Sequence, residues 1–220
     1  MGTIISKWCK DIVPTIIAIV LIVIAYQIVV TPDIIYEDEQ AIHELYDGRI
    51  VFPPGILAGD AISYLKALQD ERNYHIIIDS FGGSAYDTIA IINRIAELQD
   101  KGFVITTEAY GYTLSGGALI FIMGDIRIIH SGATLMFHGA GFSGPYGNRK
   151  SLRDYVLKGK TDLALAVVES LAILDNKFAL ELQERIGFSK DEIIRWLYAL
   201  DYNYMSSAEA LKLHVATEER

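Results

Sequence analysis

Phe103-Val-Ile-Thr-Thr-Glu-Ala-Tyr110-Gly111-Tyr-Thr-Leu-Ser115-Gly116-Gly117-Ala118-Leu-Ile-Phe-Ile-Met123 is the stretch on which the reading of the chain turns. Its first part, 103–110, is a short apolar strand, and its last part, 118–123, is a buried helical stretch by composition. Between them a serine follows one glycine and precedes two more. The order reads strand, tight turn, serine, helix N-terminus, which leaves the amides of Gly116 and Gly117 without intrahelical acceptors. A hydroxyl beside such amides suits attack on a carbonyl and stabilisation of the resulting oxyanion. Taken alone, the stretch reads more simply: Ser115 as an N-cap, the glycines as turn residues. The rest of the chain decides between the two.

The chain has 220 residues, room for one full-sized domain and a short appendage. With 51% hydrophobic and 21% charged residues, most of it should fold. The net charge of −9 and the lack of a basic run argue against nucleic acid as a partner. A single cysteine, Cys9, excludes an intrachain disulfide. Residues 12–30 contain no charge. As a helix they span about 28 Å, close to the bilayer hydrocarbon. Trp8 and Tyr26 lie near the two ends, and no convincing cleavage site follows. Lys7 and Lys10 precede the run, whereas Asp33, Glu37, Asp38 and Glu39 follow it. The expectation is a single transmembrane helix over 12–30 after a flank of residues 1–11, with membrane lipid as a partner and the domain extracytoplasmic. Residues 31–48 read as a polar linker holding a short helix, 39–46, and residues 49–220 as the domain.

Within the domain, strand and helix alternate. Residues 49–52 predict a strand, 56–70 a helix by apolar spacing, and 75–79 a strand buried on both faces. A helix over 85–100, the strand leading to Ser115 and its helix, and strands at 126–129 and 133–138 follow. This pattern predicts an α/β domain with a mainly parallel sheet. Beyond a glycine-rich loop, 151–186 is long and periodic with a break at Gly159. Shorter helices over 189–200 and 206–213 and a last strand at 213–216 complete it. Ser206 and Glu209 form a capping box.

Function in such sheets gathers at the carboxyl ends of strands. Three ends carry chemistry: Gly82-Gly83 after Asp79, Ser115 after Tyr110, and His138 after Phe137. A serine needs a base, and histidine is the usual one. Of the five histidines, His138 leads into Gly139-Ala-Gly141, which keeps the imidazole reachable. No ligand spacing calls for a metal, and none calls for a cofactor.

In combination these blocks resemble the proteolytic subunit of Clp protease and its relatives in the ClpP/crotonase superfamily. The blocks are Asp79-Ser-Phe-Gly82-Gly83, Gly111-Tyr-Thr-Leu-Ser115-Gly116-Gly117-Ala118 and Thr134-Leu-Met-Phe-His138, in that order, and the likeness extends over about Arg49 to Ala216. It implies repeated β-β-α units with C-terminal helices and a serine endopeptidase acting on polypeptide. It implies Ser115 as nucleophile, His138 as base, and Gly82 and Gly116 as oxyanion donors. It implies a homo-oligomer as well, although the segment between His138 and Gly187 is longer than in the ring-forming peptidases. The family's triad acid falls where this chain has Trp196 to Tyr198, so Asp201 is the nearest acid to take that role. The membrane anchor is more similar to signal peptide peptidase A and the NfeD-associated peptidases. Those use a Ser–Lys dyad, for which Lys150, Lys158 or Lys160 would be the source. A membrane scaffold that kept the fold and lost the chemistry is the reading from another class.

Overall fold

The uninterrupted run Ile76-Ile-Ile78 lies inside an eight-stranded sheet and is buried on both faces. The computed structural model describes residues 42–45, 47–143, 149–151, 165–198 and 203–220. In chain order the strands are β1 His43–Glu44, β2 Ile50–Phe52, β3 Tyr74–Ser80, β4 Ile105–Leu114, β5 Ile126–Ile129, β6 Thr134–Phe137, β7 Gly141–Ser143, β8 Arg149–Ser151, β9 Asn203–Ser206 and β10 Glu218–Glu219. The helices are α1 Ala61–Ala67, α2 Ala85–Asp100, α3 Gly116–Phe121, α4 Leu165–Ile186, α5 Lys190–Tyr198 and α6 Ser207–Lys212.

The sheet runs β1-β2-β3-β4-β5-β10. All of these pairings are parallel except β1 with β2. β4 is the strand that makes the site. Its first half pairs with β5, Thr106 opposite Ile126 through Ala109 opposite Ile129. Its second half leaves β5 and pairs with β6, Tyr112 opposite Thr134 through Leu114 opposite Met136. On the other side, its register against β3 moves from Ile78–Ala109 to Ser80–Thr113. Asp79 holds this irregularity. Its Oδ1 accepts the Tyr112 N–H at 2.9 Å, and a Cβ at Gly111 would lie 2.8 Å from that oxygen. The glycine four residues before Ser115 is therefore a place where a carboxylate approaches the backbone.

Helix α2 begins on Ser84, whose hydroxyl accepts the Asp87 N–H, and it buries Ile91, Ile92, Ile95 and Leu98. It ends in a Schellman motif, with Gly102 N–H on Gln99 O at 2.8 Å and Phe103 N–H on Leu98 O at 3.1 Å. Each apolar side chain buried here is worth about 1.5–3 kcal/mol. Helix α4 turns Leu171, Leu174, Phe178 and Leu182 inward.

The mainly parallel α/β sheet agrees with the sequence, but several elements differ. From β2 to α3 the chain uses one strand per helix, not two, because each parallel pairing takes one crossover. The helix expected over 56–70 is only Ala61–Ala67, since Ile56 bridges to Gly83 instead. Residues 43–44 are an edge strand where a helix is expected over 39–46. Residues 149–151 pair with 141–143 rather than opening a helix. Residues 213–216 turn back after α6, and the last strand is 218–219. Asn203–Ser206, for which the sequence pattern predicts no strand, pairs antiparallel with β6. The Ser206 cap is present, accepting the Glu209 N–H at 3.3 Å. The span expected at 12–30 and the break at Gly159 lie outside the described residues. Among the described residues no helix is long and apolar enough to cross a membrane.

Candidate active site

Ser115 stands where β4 becomes α3, at φ 55° and ψ −120°. Side chains rarely adopt this backbone region, and holding one there costs about 1–3 kcal/mol. A capping serine sits in the extended region and turns its oxygen onto a helix amide. Ser115 does neither, for its side chain makes no capping hydrogen bond. The simple N-cap reading of this stretch is thereby replaced by a strained elbow. The elbow is pinned from below, where Ser115 N–H donates to Met136 O at 2.7 Å. Gly116 opens α3, so its N–H has no acceptor within the helix.

The Ser80–Ser84 loop lies against this elbow. Gly82 has φ +80°, and a Cβ there would lie 2.6 Å from both Gly116 N and Leu114 O. Its carbonyl accepts Ile56 N–H at 2.9 Å, and its own N–H donates to Ser80 Oγ at 3.2 Å. Ser80 Oγ in turn donates to Pro54 O at 3.1 Å. Gly83 follows with φ +150°, its Cα so close to Ile56 that a Cβ would fall 2.0 Å from the Ile56 carbonyl oxygen. Only glycine fits at either position.

His138 follows β6, two residues after Met136, the partner of Leu114. Its Nδ1 lies 2.6 Å from Gly139 O. A carbonyl oxygen only accepts, so Nδ1 carries the proton and Nε2 of the neutral ring carries the lone pair. Ser115, Gly116, Gly83 and His138 line one cavity of about 860 Å³. The rest of its wall is largely apolar, with Leu119, Leu171, Leu174 and Phe178 among the contributors. Gly82 packs behind the wall and is absent from this lining.

Two groups near His138 are not evident in the sequence pattern. Asp175 on α4 is 1% exposed, and its Oδ1 accepts the Ala140 N–H at 2.5 Å. Tyr198 on α5 bonds the same carboxylate. Burial first, then the charge of Asp175 and that hydrogen bond, push its hydroxyl well above the ordinary tyrosine value. The sequence signal was Gly139, where a Cβ would lie 2.9 Å from Asp175 Oδ2. Trp196, in the register where the resemblance places an acid, is buried in the core. Asp201, Lys158, Lys160 and the side chain of Lys150 lie outside the described residues. Among the described residues no group of His, Cys, Asp and Glu side chains is arranged to hold a metal ion.

The mainly parallel α/β sheet brings a serine elbow, the glycine after β3 that lines the cavity, and a histidine to one cavity. The chain belongs to the Clp protease family, whose model matches residues 55–181, a span holding Gly82, Gly83, Ser115, His138 and Asp175. No curated protein matches the chain.

Proposed function

We propose that the protein is a serine peptidase that cleaves polypeptide within the Ser115–His138 cavity. The observation that carries this reading is the backbone of Ser115, held at φ 55° in the wall that His138 also lines. Ser115 Oγ attacks the peptide carbonyl, and His138 Nε2 takes its proton and returns it to the leaving amine. Gly116 N–H is one oxyanion donor. The second is the N–H of Gly83, which lines the cavity, in place of that of Gly82, which Ser80 Oγ engages. Each donor is worth about 3 kcal/mol in related acyl transfer. The apolar lining suits an extended chain with an apolar side chain at the cleaved bond. In this reading residues 12–30 anchor the chain in a membrane with the domain outside the cytoplasm, and copies of the chain assemble.

A fluorophosphonate probe tests the chemistry. It should label the full chain at one site and fail to label Ser115→Ala. A folded wild-type protein that takes up no label between about pH 5 and 8, the range over which a histidine base passes from charged to neutral, would favour the non-catalytic scaffold, the reading that the buried Trp196 motivates.

A further inference from the structure

A Ser–His pair works best with an acid that fixes the imidazole and stabilises the imidazolium. The geometry points to Asp175 as that acid, acting on His138 through the single peptide group between Gly139 and Ala140. The inference rests on the peptidase reading above.

The two ends of one peptide group carry the connection. Its carbonyl, Gly139 O, accepts the His138 Nδ1–H at 2.6 Å. Its N–H, that of Ala140, donates to Asp175 Oδ1 at 2.5 Å. The negative carboxylate at the N–H end pushes electron density through the amide towards the carbonyl oxygen, and successive hydrogen bonds polarise one another in this way. A more negative carbonyl oxygen holds the Nδ1 proton more firmly and favours the charged ring. The group is built in place from three directions. Gly139 N–H donates to Leu197 O at 2.8 Å, so α5 fixes the near side of the loop. Gly139 lets the carboxylate of α4 approach the chain, since a Cβ there would lie only 2.9 Å from Asp175 Oδ2. Tyr198 bonds the same carboxylate from α5. The α5 segment thus contributes a carbonyl and a phenol where the resemblance expects an acid. The acid itself stands on α4, within the region that the family model covers.

Ser115 from the β4–α3 turn and Ser170 from α4 share the His138 cavity, and Tyr86 from α2 is the one further titratable side chain among the described lining residues. No charged lysine, arginine or carboxylate lines the cavity among the described residues. Asp175 is therefore a positioning residue with an electrostatic signature: its charge should appear in the titration of His138.

The test is the rate of fluorophosphonate inactivation of the full chain against pH, for wild type, Asp175→Asn and Asp201→Asn, with melting curves for each. The rate climbs as His138 loses its proton. Asp175→Asn should lower the plateau about tenfold and move the acid limb to lower pH by about one unit, the low end for loss of a nearby opposite charge. Asp201→Asn should leave the limb in place. A folded Asp175→Asn protein with the wild-type limb overturns the inference, as does a limb that moves with Asp201→Asn instead. If Asp175→Asn does not fold, nitrogen-15 NMR of the wild-type His138 ring decides. The Nδ1–H tautomer above the ring's pKa is expected, and the Nε2–H tautomer overturns the relay. A folded wild type that never labels removes the peptidase reading, while the tautomer still tests the relay by itself.

Discussion

The domain holds two histidine–carboxylate clusters, and they use the same chemistry in opposite ways. In the first, Glu108 of β4 is wholly buried and takes His75 Nε2 at 2.6 Å and His130 Nε2 at 2.7 Å, with Arg220 at 3.2 Å. Tyr110 stacks on His130 at 3.8 Å between ring centres. In the second, His138 reaches Asp175 through a peptide group, and the contact is made by Nδ1. His75 and His130 spend Nε2 on a buried carboxylate and line no part of the Ser115 cavity. A histidine that spends Nδ1 on a carbonyl keeps a basic nitrogen. The difference separates a group that holds the sheet together from one that can move a proton. Backbone conformation draws the same line, because the strained non-glycine turn at Ser115 lies beside His138.

The largest effect should come from releasing that strain. Ser115→Gly removes the nucleophile and fits the positive φ, so peptide hydrolysis should fall by more than about a thousandfold. The strain relief of about 1–3 kcal/mol is partly offset by the entropy of an extra glycine, about 0.5–1 kcal/mol. The melting temperature should then rise by about 3 °C for a chain of this size. Ser115→Ala should be equally inactive without the gain. A glycine variant that melts below the alanine variant would mean that the elbow is not under strain.

Glu108 should show the reverse pattern. Burial pushes its carboxyl up, but hydrogen bonds from His130 and His75 and the charges of His75 and Arg220 outweigh this and hold it below the ordinary range. A depressed carboxylate gives stability that is complete above its unfolded pKa, about 4.3, and is lost as pH falls through the lower folded value. Glu108→Gln leaves two histidines and two arginines, Arg49 and Arg220, around a neutral amide, at a cost of about 3 kcal/mol. Melting at pH 7 should drop by about 9 °C, and the difference from wild type should shrink below about pH 4. The acid limb of fluorophosphonate inactivation should stay where it is. If Glu108→Gln moves that limb as Asp175→Asn is expected to, the two clusters are not separate in function.

Periodicity and apolar runs carried most of the fold, because β3, α2 and the strand before Ser115 are buried in patterns that a sequence displays directly. The lengthening of β4 to Leu114 was hidden. It depends on Asp79 bridging to Tyr112 across the sheet, a contact between residues 33 apart. Short strands such as β9 and the 43–44 edge carry no period of their own and exist through their partners. At the site, Gly111, Ser115 and His138 stood out because strand-end chemistry is local. The engagement of Gly82 by Ser80 depends on a loop conformation that glycine spacing does not specify. Asp175 was invisible for another reason. It occupies a helix position that reads as polar periodicity, and only the packing of α4 against the Gly139 loop shows that it is buried.

The smallest of the expected effects is at Ser84. Its hydroxyl caps α2 through the Asp87 N–H at 3.4 Å and also donates to the Asp87 carboxylate. Asp87 in turn accepts Ala61 N–H at 2.9 Å and Gly59 N–H at 3.1 Å, tying α1 to α2. Burial raises the Asp87 carboxyl, yet the Ser84 hydroxyl and these two amides more than reverse it, so the group lies below the ordinary value. Ser84→Ala removes the cap at about 1 kcal/mol, which corresponds to a melting temperature lower by about 3 °C at pH 7. It also removes the first of the groups that hold Asp87 down, so the part of the stability that is lost between the unfolded carboxylate value and the folded one on acidification should be smaller in the variant than in wild type. Ser84 lines the cavity as well, but it has no part in proton transfer, and the acid limb of inactivation should not move. A shift of that limb in Ser84→Ala would place Asp87, rather than Asp175, in electrostatic contact with His138.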